Sequence, residues 1–128
     1  MTRPTVAILG ASSDRSKFGN KAIRAHLKQG YDVYPINPRG GQIEGLHVYI
    51  SLGDAPIEQF DRISVYLPPE IGVTILEEIT AKGCRELFLN PGSESDELIA
   101  KARSLGLEPI VACSIINLGV RPEQFADA

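Results

Sequence analysis

Residues Thr5 to Leu9 read TVAIL, a β-branched run with no polar interruption that stops at Gly10. A strand apolar on both faces must be covered on both faces, which is the situation of a central strand in a parallel sheet layered by helices. The rest of the chain repeats the arrangement. A helical stripe over about Lys17 to Gln29 carries Ala22, Ile23 and Leu27 and closes at Gly30, with a glycine where a left-handed cap is expected. Strands are expected at Tyr31 to Asn37, at Ile43 to Tyr49 near a sheet edge, and at Ile63 to Leu67, Glu86 to Leu89 and Glu108 to Cys113. Between them fall a helical turn near Asp54 to Gln59, a helix from Pro68 that carries Ile71, Ile75, Leu76 and Ile79 and ends at Gly83, and a helix with Leu98, Ile99, Ala102 and Leu105 that ends at Gly106. Strands separated by helices imply right-handed βαβ units. The expected fold is a single α/β domain over residues 1–128, Rossmann-like, three-layered, with a mostly parallel sheet. The tail from Arg121 to Ala128 is polar and expected to be loosely held.

Composition restricts the function. At 128 residues with 43% hydrophobic and 23% charged residues, the chain suits one globular core and leaves no room for a second, substrate-holding domain. A net charge of −3 supplies neither a nucleic-acid-binding field nor a polybasic membrane patch. No apolar run approaches the roughly 18 residues a span needs, so the expectation is a soluble cytoplasmic protein. The two cysteines, Cys84 and Cys113, have neither CxxC spacing nor a histidine cluster, so no disulfide framework and no metal site is expected. Cys113 falls at the end of the last expected strand. With no His or Lys beside it, a small buried hydrophobe is the favoured reading, and a mixed disulfide with a ligand thiol the sharper one.

In such sheets ligands bind outside the carboxyl ends of the strands. The loop after the first strand is Gly10-Ala11-Ser12-Ser13-Asp14-Arg15-Ser16-Lys17-Phe18-Gly19. Gly10 permits a sharp turn, the Ser12 and Ser13 hydroxyls can donate to phosphate oxygens, Arg15 and Lys17 can neutralise a diphosphate, and the following helix adds its positive end. Gly10→Val is therefore expected to abolish ligand binding and spare the fold. Neither G-x-G-x-x-G nor G-x-x-x-x-G-K-[ST] is present, which argues against a nucleoside triphosphatase. The second loop, Asn37-Pro38-Arg39-Gly40-Gly41, has arginine where NAD sites carry an acid. That favours a nucleotide with a ribose phosphate, NADP or coenzyme A. The third and fourth loops, Leu67-Pro68-Pro69-Glu70 and Asn90-Pro91-Gly92-Ser93-Glu94, bring rigid backbone suited to an apolar, amide-containing chain. Their acids, with Asp96, read as helix-cap and first-turn residues rather than general bases.

The stretches GASSDRSKFGN, YPINPRGGQIEG, VYLPPE and NPGSE resemble the CoA-binding domain at the N-terminus of succinyl-CoA synthetase α-subunits and of ADP-forming acyl-CoA synthetases, and small stand-alone CoA-binding proteins. The likeness runs from about Val6 to Gly119. It implies that Gly10, Ser12, Arg15, Lys17 and Phe18 hold the CoA phosphates, that Asn37, Pro38 and Arg39 lie beside the adenosine and its 3′-phosphate, that Leu67 and Pro68 flank the nucleotide and pantetheine, and that Pro91 and Gly92 lie near the thiol end. The synthetases also use a phosphohistidine and an ATP-grasp partner. Neither His26, on the first helix, nor His47 matches that histidine, so ligase chemistry does not carry over. The expectation is a non-catalytic module binding coenzyme A or an acyl-CoA, or one component of a split enzyme whose partner is an acyl-CoA synthetase subunit. The alternative is an NADP-dependent oxidoreductase, which lacks a Tyr-x-x-x-Lys set here.

Overall fold

The computed structural model describes residues Thr2 to Ala128. Five strands, β1 (Thr5–Leu9), β2 (Asp32–Ile36), β5 (Phe60–Val65), β6 (Cys84–Leu89) and β7 (Pro109–Val111), form one sheet in the order β2-β1-β5-β6-β7. Every pairing in it is parallel. The α/β Rossmann-like expectation thus holds, with β1 an interior strand between β2 and β5, as its uninterrupted apolar run requires. Alternate β1 side chains serve opposite faces. Ala7 and Leu9 join Phe60, Ile63, Val65 and Leu87 under one helical layer. Val6 and Ile8 join Ala22, Ile23, Val33 and Ile115 under the other.

The helix α1 (Phe18–Lys28) runs between β1 and β2, and Gly30 after it has φ +87°, as its C-terminal place predicts. Its buried face differs from the expected stripe. Ala22 and Ile23 face inward, but Leu27 is exposed and Ala25 and His26 take the inner positions. His26, which its place beside Ile23 and Leu27 marks as a packing residue at the boundary of the stripe, is instead wholly buried, and both of its ring nitrogens find partners inside.

Other expectations need correction. The third strand is not a member of the sheet: β3 (Gln42–Ile43) and β4 (Leu46–His47) form a separate antiparallel hairpin, turned by Glu44 and Gly45 with φ of 51° and 78°, the double left-handed turn that matches strand twist. Tyr49 alone bridges to Ile36 of the sheet. The turn expected at Asp54 to Gln59 is a 3-10 turn at Leu52–Asp54. The strand read as Ile63 to Leu67 starts earlier, at Phe60, and ends at Val65. The helix after Pro68 is broken into α2 (Pro69–Gly72), a 3-10 turn at Val73–Ile75, and α3 (Leu76–Lys82). The β-branched run Val73-Thr74-Ile75 disfavours a continuous α-helix, and Ile71, expected inside, is exposed. After α4 (Asp96–Ser104), the strand expected over Glu108 to Cys113 is the shorter β7, ending at Val111, and a further helix, α5 (Ser114–Asn117), follows where no element is expected from the sequence. Nor is the tail loose. Phe125 is buried against the α1 layer, with the cations of Arg24 and Lys28 at 5.8 and 5.9 Å from its ring centroid.

Candidate ligand cleft

The order β2-β1-β5 sends the chain outward in one direction from β1 and back on the other side, so the loops after β1 and β5 diverge at their carboxyl ends. A cleft of about 790 Å³ opens there, at the topological switch point where such sheets bind ligands. It is lined by the first loop, the start of α1, Asn37 and Arg39, Tyr66 to Pro68, and Pro91 to Ser93.

The first loop is shaped by its own short polar side chains. Ser12 Oγ accepts from the Asp14 amide at 3.1 Å, and Asp14 Oδ1 accepts from the Ser16 amide at 3.0 Å and the Ser16 hydroxyl at 2.6 Å. These bonds hold the Asp14 carboxyl below the usual carboxylate range, the Ser16 hydroxyl contributing most. Gly10 has φ +87°, and a Cβ there would lie 2.9 Å from the carbonyl oxygen of Tyr66. Its need for glycine is therefore internal as well as ligand-related, and Gly10→Val would not spare the fold. A Cβ on Gly19 would meet the Gly10 carbonyl oxygen at 2.2 Å, so Gly10 and Gly19 together let α1 approach the end of β1, the packing role that glycines play in dinucleotide loops.

The N-terminus of α1 is left open. Lys17, at the N-cap, has extended backbone and gives no side-chain cap, and no acid lies in the first turn. The Phe18 and Gly19 amides beneath it lie outside the intrahelical bonds, as the first amides of a helix do. By contrast α4 is capped by Ser95 Oγ, which accepts from the Leu98 amide at 3.1 Å, and has Asp96 and Glu97 in its first turn.

Asn37 ties two loops together: its Nδ2 donates to the Ala11 carbonyl and its Oδ1 accepts from the Arg39 amide, each at 2.8 Å. It is a brace with little left for a ligand. The Arg39 guanidinium is exposed and has no acidic partner among the described residues. On the other wall Tyr66 shares a 3.0 Å hydrogen bond with Ser114 Oγ, and burial pushes its phenol up to about 12. Ser64 Oγ joins Ser114 Oγ at 2.8 Å. Asn90 donates to Ser64 Oγ and to the Val65 carbonyl and accepts from the Ser114 amide, each at 2.8 Å. Asn90, read from sequence as a turn residue, is thus a buried staple that holds the fourth loop to β5 and α5.

Of the residues singled out in the sequence, Gly10, Ser12, Lys17, Phe18, Asn37, Arg39, Leu67, Pro68, Pro91 and Gly92 meet in this cleft. Ser13, Arg15 and Pro38 do not line it. Pro38 instead lines an adjoining apolar cavity of about 210 Å³ with Ile36, Ile50, Leu67 and Ile71. Arg15 points away from the cleft, toward Glu44 at 3.4 Å and the Ala128 carbonyl at 3.1 Å. Cys113 packs against the α1-side core and lies outside the cleft wall, which removes the positional ground for a mixed disulfide. Sequence reasoning missed Ser16, Gly19, Tyr66 and Ser93. The Gly10–Gly19 pair was a signal for one of them. Tyr66 offered none, since it reads as strand interior. Among the described residues no three His, Cys, Asp or Glu side chains gather as a metal site, and no helix is long and apolar enough to cross a membrane.

A parallel sheet whose first loop presents an open helix N-terminus at the switch point defines the Rossmann-like class. Within it, the chain belongs to the CoA binding domain family, whose profile matches residues 4–119. It is 31% identical over 119 residues to the "Acetate--CoA ligase [ADP-forming] I subunit alpha" of Pyrococcus furiosus, a match covering 80% of this chain and 26% of that protein. A conserved hypothetical protein of Pyrococcus furiosus, of solved structure, superposes with a TM-score of 0.77 at 29% identity over 91% of this chain and 99% of its own. The dinucleotide-forming acetyl-coenzyme A synthetase 1 of Ca. Korarchaeum cryptofilum superposes with a TM-score of 0.71 at 27% identity, covering 84% of this chain but 25% of the synthetase. The chain therefore spans about a quarter of the ligases it resembles. Neither the family nor these relatives support an NADP-dependent oxidoreductase.

Proposed function

We propose that the cleft binds coenzyme A or an acyl-CoA, and that the chain works as a CoA-holding module or as the CoA-binding component of a split acyl-CoA synthetase. The observation that carries this reading is the uncapped start of α1, with Lys17 on it and the unpaired Arg39 on the same cleft. A helix end with free amides and no acid of its own is an anion site, and a lysine adds a point charge. In this reading the diphosphate lies on the α1 amides and Lys17, and the 3′-phosphate lies on Arg39. The base enters the apolar cavity beside Pro38 and Leu67, and the pantetheine runs between the Leu67-Pro68 and Pro91-Gly92 loops. No residue of the cleft is assigned a proton-transfer or nucleophilic role. Acyl-group chemistry in a split enzyme would come from other chains or segments, as the short span of the match to the ligases suggests.

Calorimetry with CoA and dephospho-CoA tests the assignment. Arg39→Ala should weaken CoA binding by about 1.5–3 kcal/mol, the range for a hydrogen bond to a charged group, and leave dephospho-CoA nearly unchanged. Equal losses for both ligands would remove the 3′-phosphate from Arg39. No binding of either ligand by the unaltered protein would refute the CoA reading.

A further inference from the structure

The arginine that the sequence places in the phosphate loop is held elsewhere. Arg15 Nη1 donates to the Ala128 carbonyl at 3.1 Å. Its Nε is buried without a hydrogen-bond partner, although Glu44 Oε2 stands 3.4 Å away, an ion pair without hydrogen-bond alignment. That is a poor position for a group with five donors, whose natural partner is a bidentate anion. The elements holding it there are joined to each other. Arg24 Nη2 donates at 2.8 Å both to the Arg15 carbonyl and to the Ala126 carbonyl, and its Nε donates at 2.8 Å to Asn20 Oδ1. Asn20 Nδ2 in turn donates to the Ser12 carbonyl at 2.9 Å and to Glu44 Oε2 at 3.1 Å. Asp127 completes the seat through its ion pair with Lys21. Phosphate loop, hairpin tip and tail thus hang on two neighbouring side chains of α1. Glu44, the single non-glycine residue with positive φ among the described residues, brings its carboxylate there from the hairpin tip.

We propose that Glu44 and the tail residues 126–128 form a latch that keeps Arg15 off the cleft, so that seating of the tail and uptake of a diphosphate-bearing ligand compete for one guanidinium. The proposal rests on the CoA reading above. A diphosphate in the cleft offers Arg15 the bidentate partner that the latch lacks, and swinging Arg15 toward it removes the tail's bond to that side chain.

Calorimetry with CoA would be run on the full chain, on a chain ending at Phe125 and on Glu44→Gln, and on each of the three with Arg15→Ala. Both release variants should bind CoA about two- to fivefold more tightly than the full chain, the worth of one partly exposed ion pair for Glu44→Gln and of one exposed hydrogen bond for the shortened chain, and the gain should vanish with Arg15→Ala. Unchanged or weaker binding in the release variants, or a gain that persists without Arg15, overturns the latch while leaving the CoA reading intact. Failure of every variant to bind CoA overturns both.

Discussion

His26 is wholly buried on α1. Its Nδ1 donates to the Ala22 carbonyl at 2.7 Å, and its Nε2 faces Arg62 Nη1 at 3.4 Å. The geometry demands a neutral ring, and burial pushes its pKa down to about 4, from an ordinary 6.5, with the nearby Arg62 charge acting the same way and the Ala22 bond opposing. Because the unfolded chain takes up the proton first, stability is lost as the pH falls from about 6.5 to about 4, by about 3 kcal/mol in all. Urea unfolding at pH 7.5 and pH 4.5 checks this, with His26→Gln expected to lose less on acidification than the unaltered protein; equal losses would show that His26 is not the group responsible. Glycine positions differ in a comparable way. Gly10→Ala combines a left-handed backbone with a Cβ 2.9 Å from the Tyr66 carbonyl oxygen, whereas Gly92, at φ +92°, has nothing within 4 Å. Gly92→Ala should cost about 1 kcal/mol and Gly10→Ala clearly more, about 2–4 kcal/mol with the clash included. Denaturation midpoints of the two variants decide the order.

At the scale of elements, α1 and α4 show opposite use of a helix start. The Ser95 cap closes α4 for stability, and Ser95→Ala should cost about 1 kcal/mol without touching the cleft. In α1 the same position is Lys17, which contributes no cap. Lys17→Asp should supply an acceptor to the first-turn amides and a charge that suits the helix dipole. It should raise stability by about 0.5–1.5 kcal/mol while weakening CoA binding at least about tenfold. The pairing of the two effects is the informative result, because a gain in stability with unchanged affinity would show that this helix end is not where the phosphate lies.

For the whole molecule, the cleft lies where the loops of the two halves of the sheet diverge, and a ligand there contacts the ends of β1, β2, β5 and β6 together. Binding should therefore report on global unfolding. CoA at one hundred times its Kd should stabilise the fold by about 2.7 kcal/mol, or roughly 10 °C in Tm for a domain of this size, whereas NADP at the same concentration should leave the midpoint nearly unchanged. The net charge of −3 means that the attraction is local, so the affinity for CoA should fall as salt screens Lys17 and Arg39.

Some of this was legible in the residues themselves. The unbroken TVAIL run determines an interior strand covered on both faces, the apolar segments and glycine stops determine an alternation of strand and helix, and chemistry-bearing loops after the strands follow from that alternation. An arginine in the second loop, where NAD sites carry an acid, is the sequence feature behind the proposal of an anionic ligand. Tertiary structure alone decided the rest, because it depends on contacts between residues far apart in the chain. His26 rather than Leu27 faces inward, since Arg62 of β5 is there to meet it. The hairpin tip is fixed on α1 and the first loop through Glu44, which meets Asn20 and Arg15, and the tail seats on Lys21 and Arg24, cations spaced along α1 that only the fold brings beneath it. Arg15 shows the division most plainly. Its place in the loop after β1 is a property of the sequence, but its direction depends on Glu44 and Ala128, 29 and 113 residues further on, which no local pattern can place beside it.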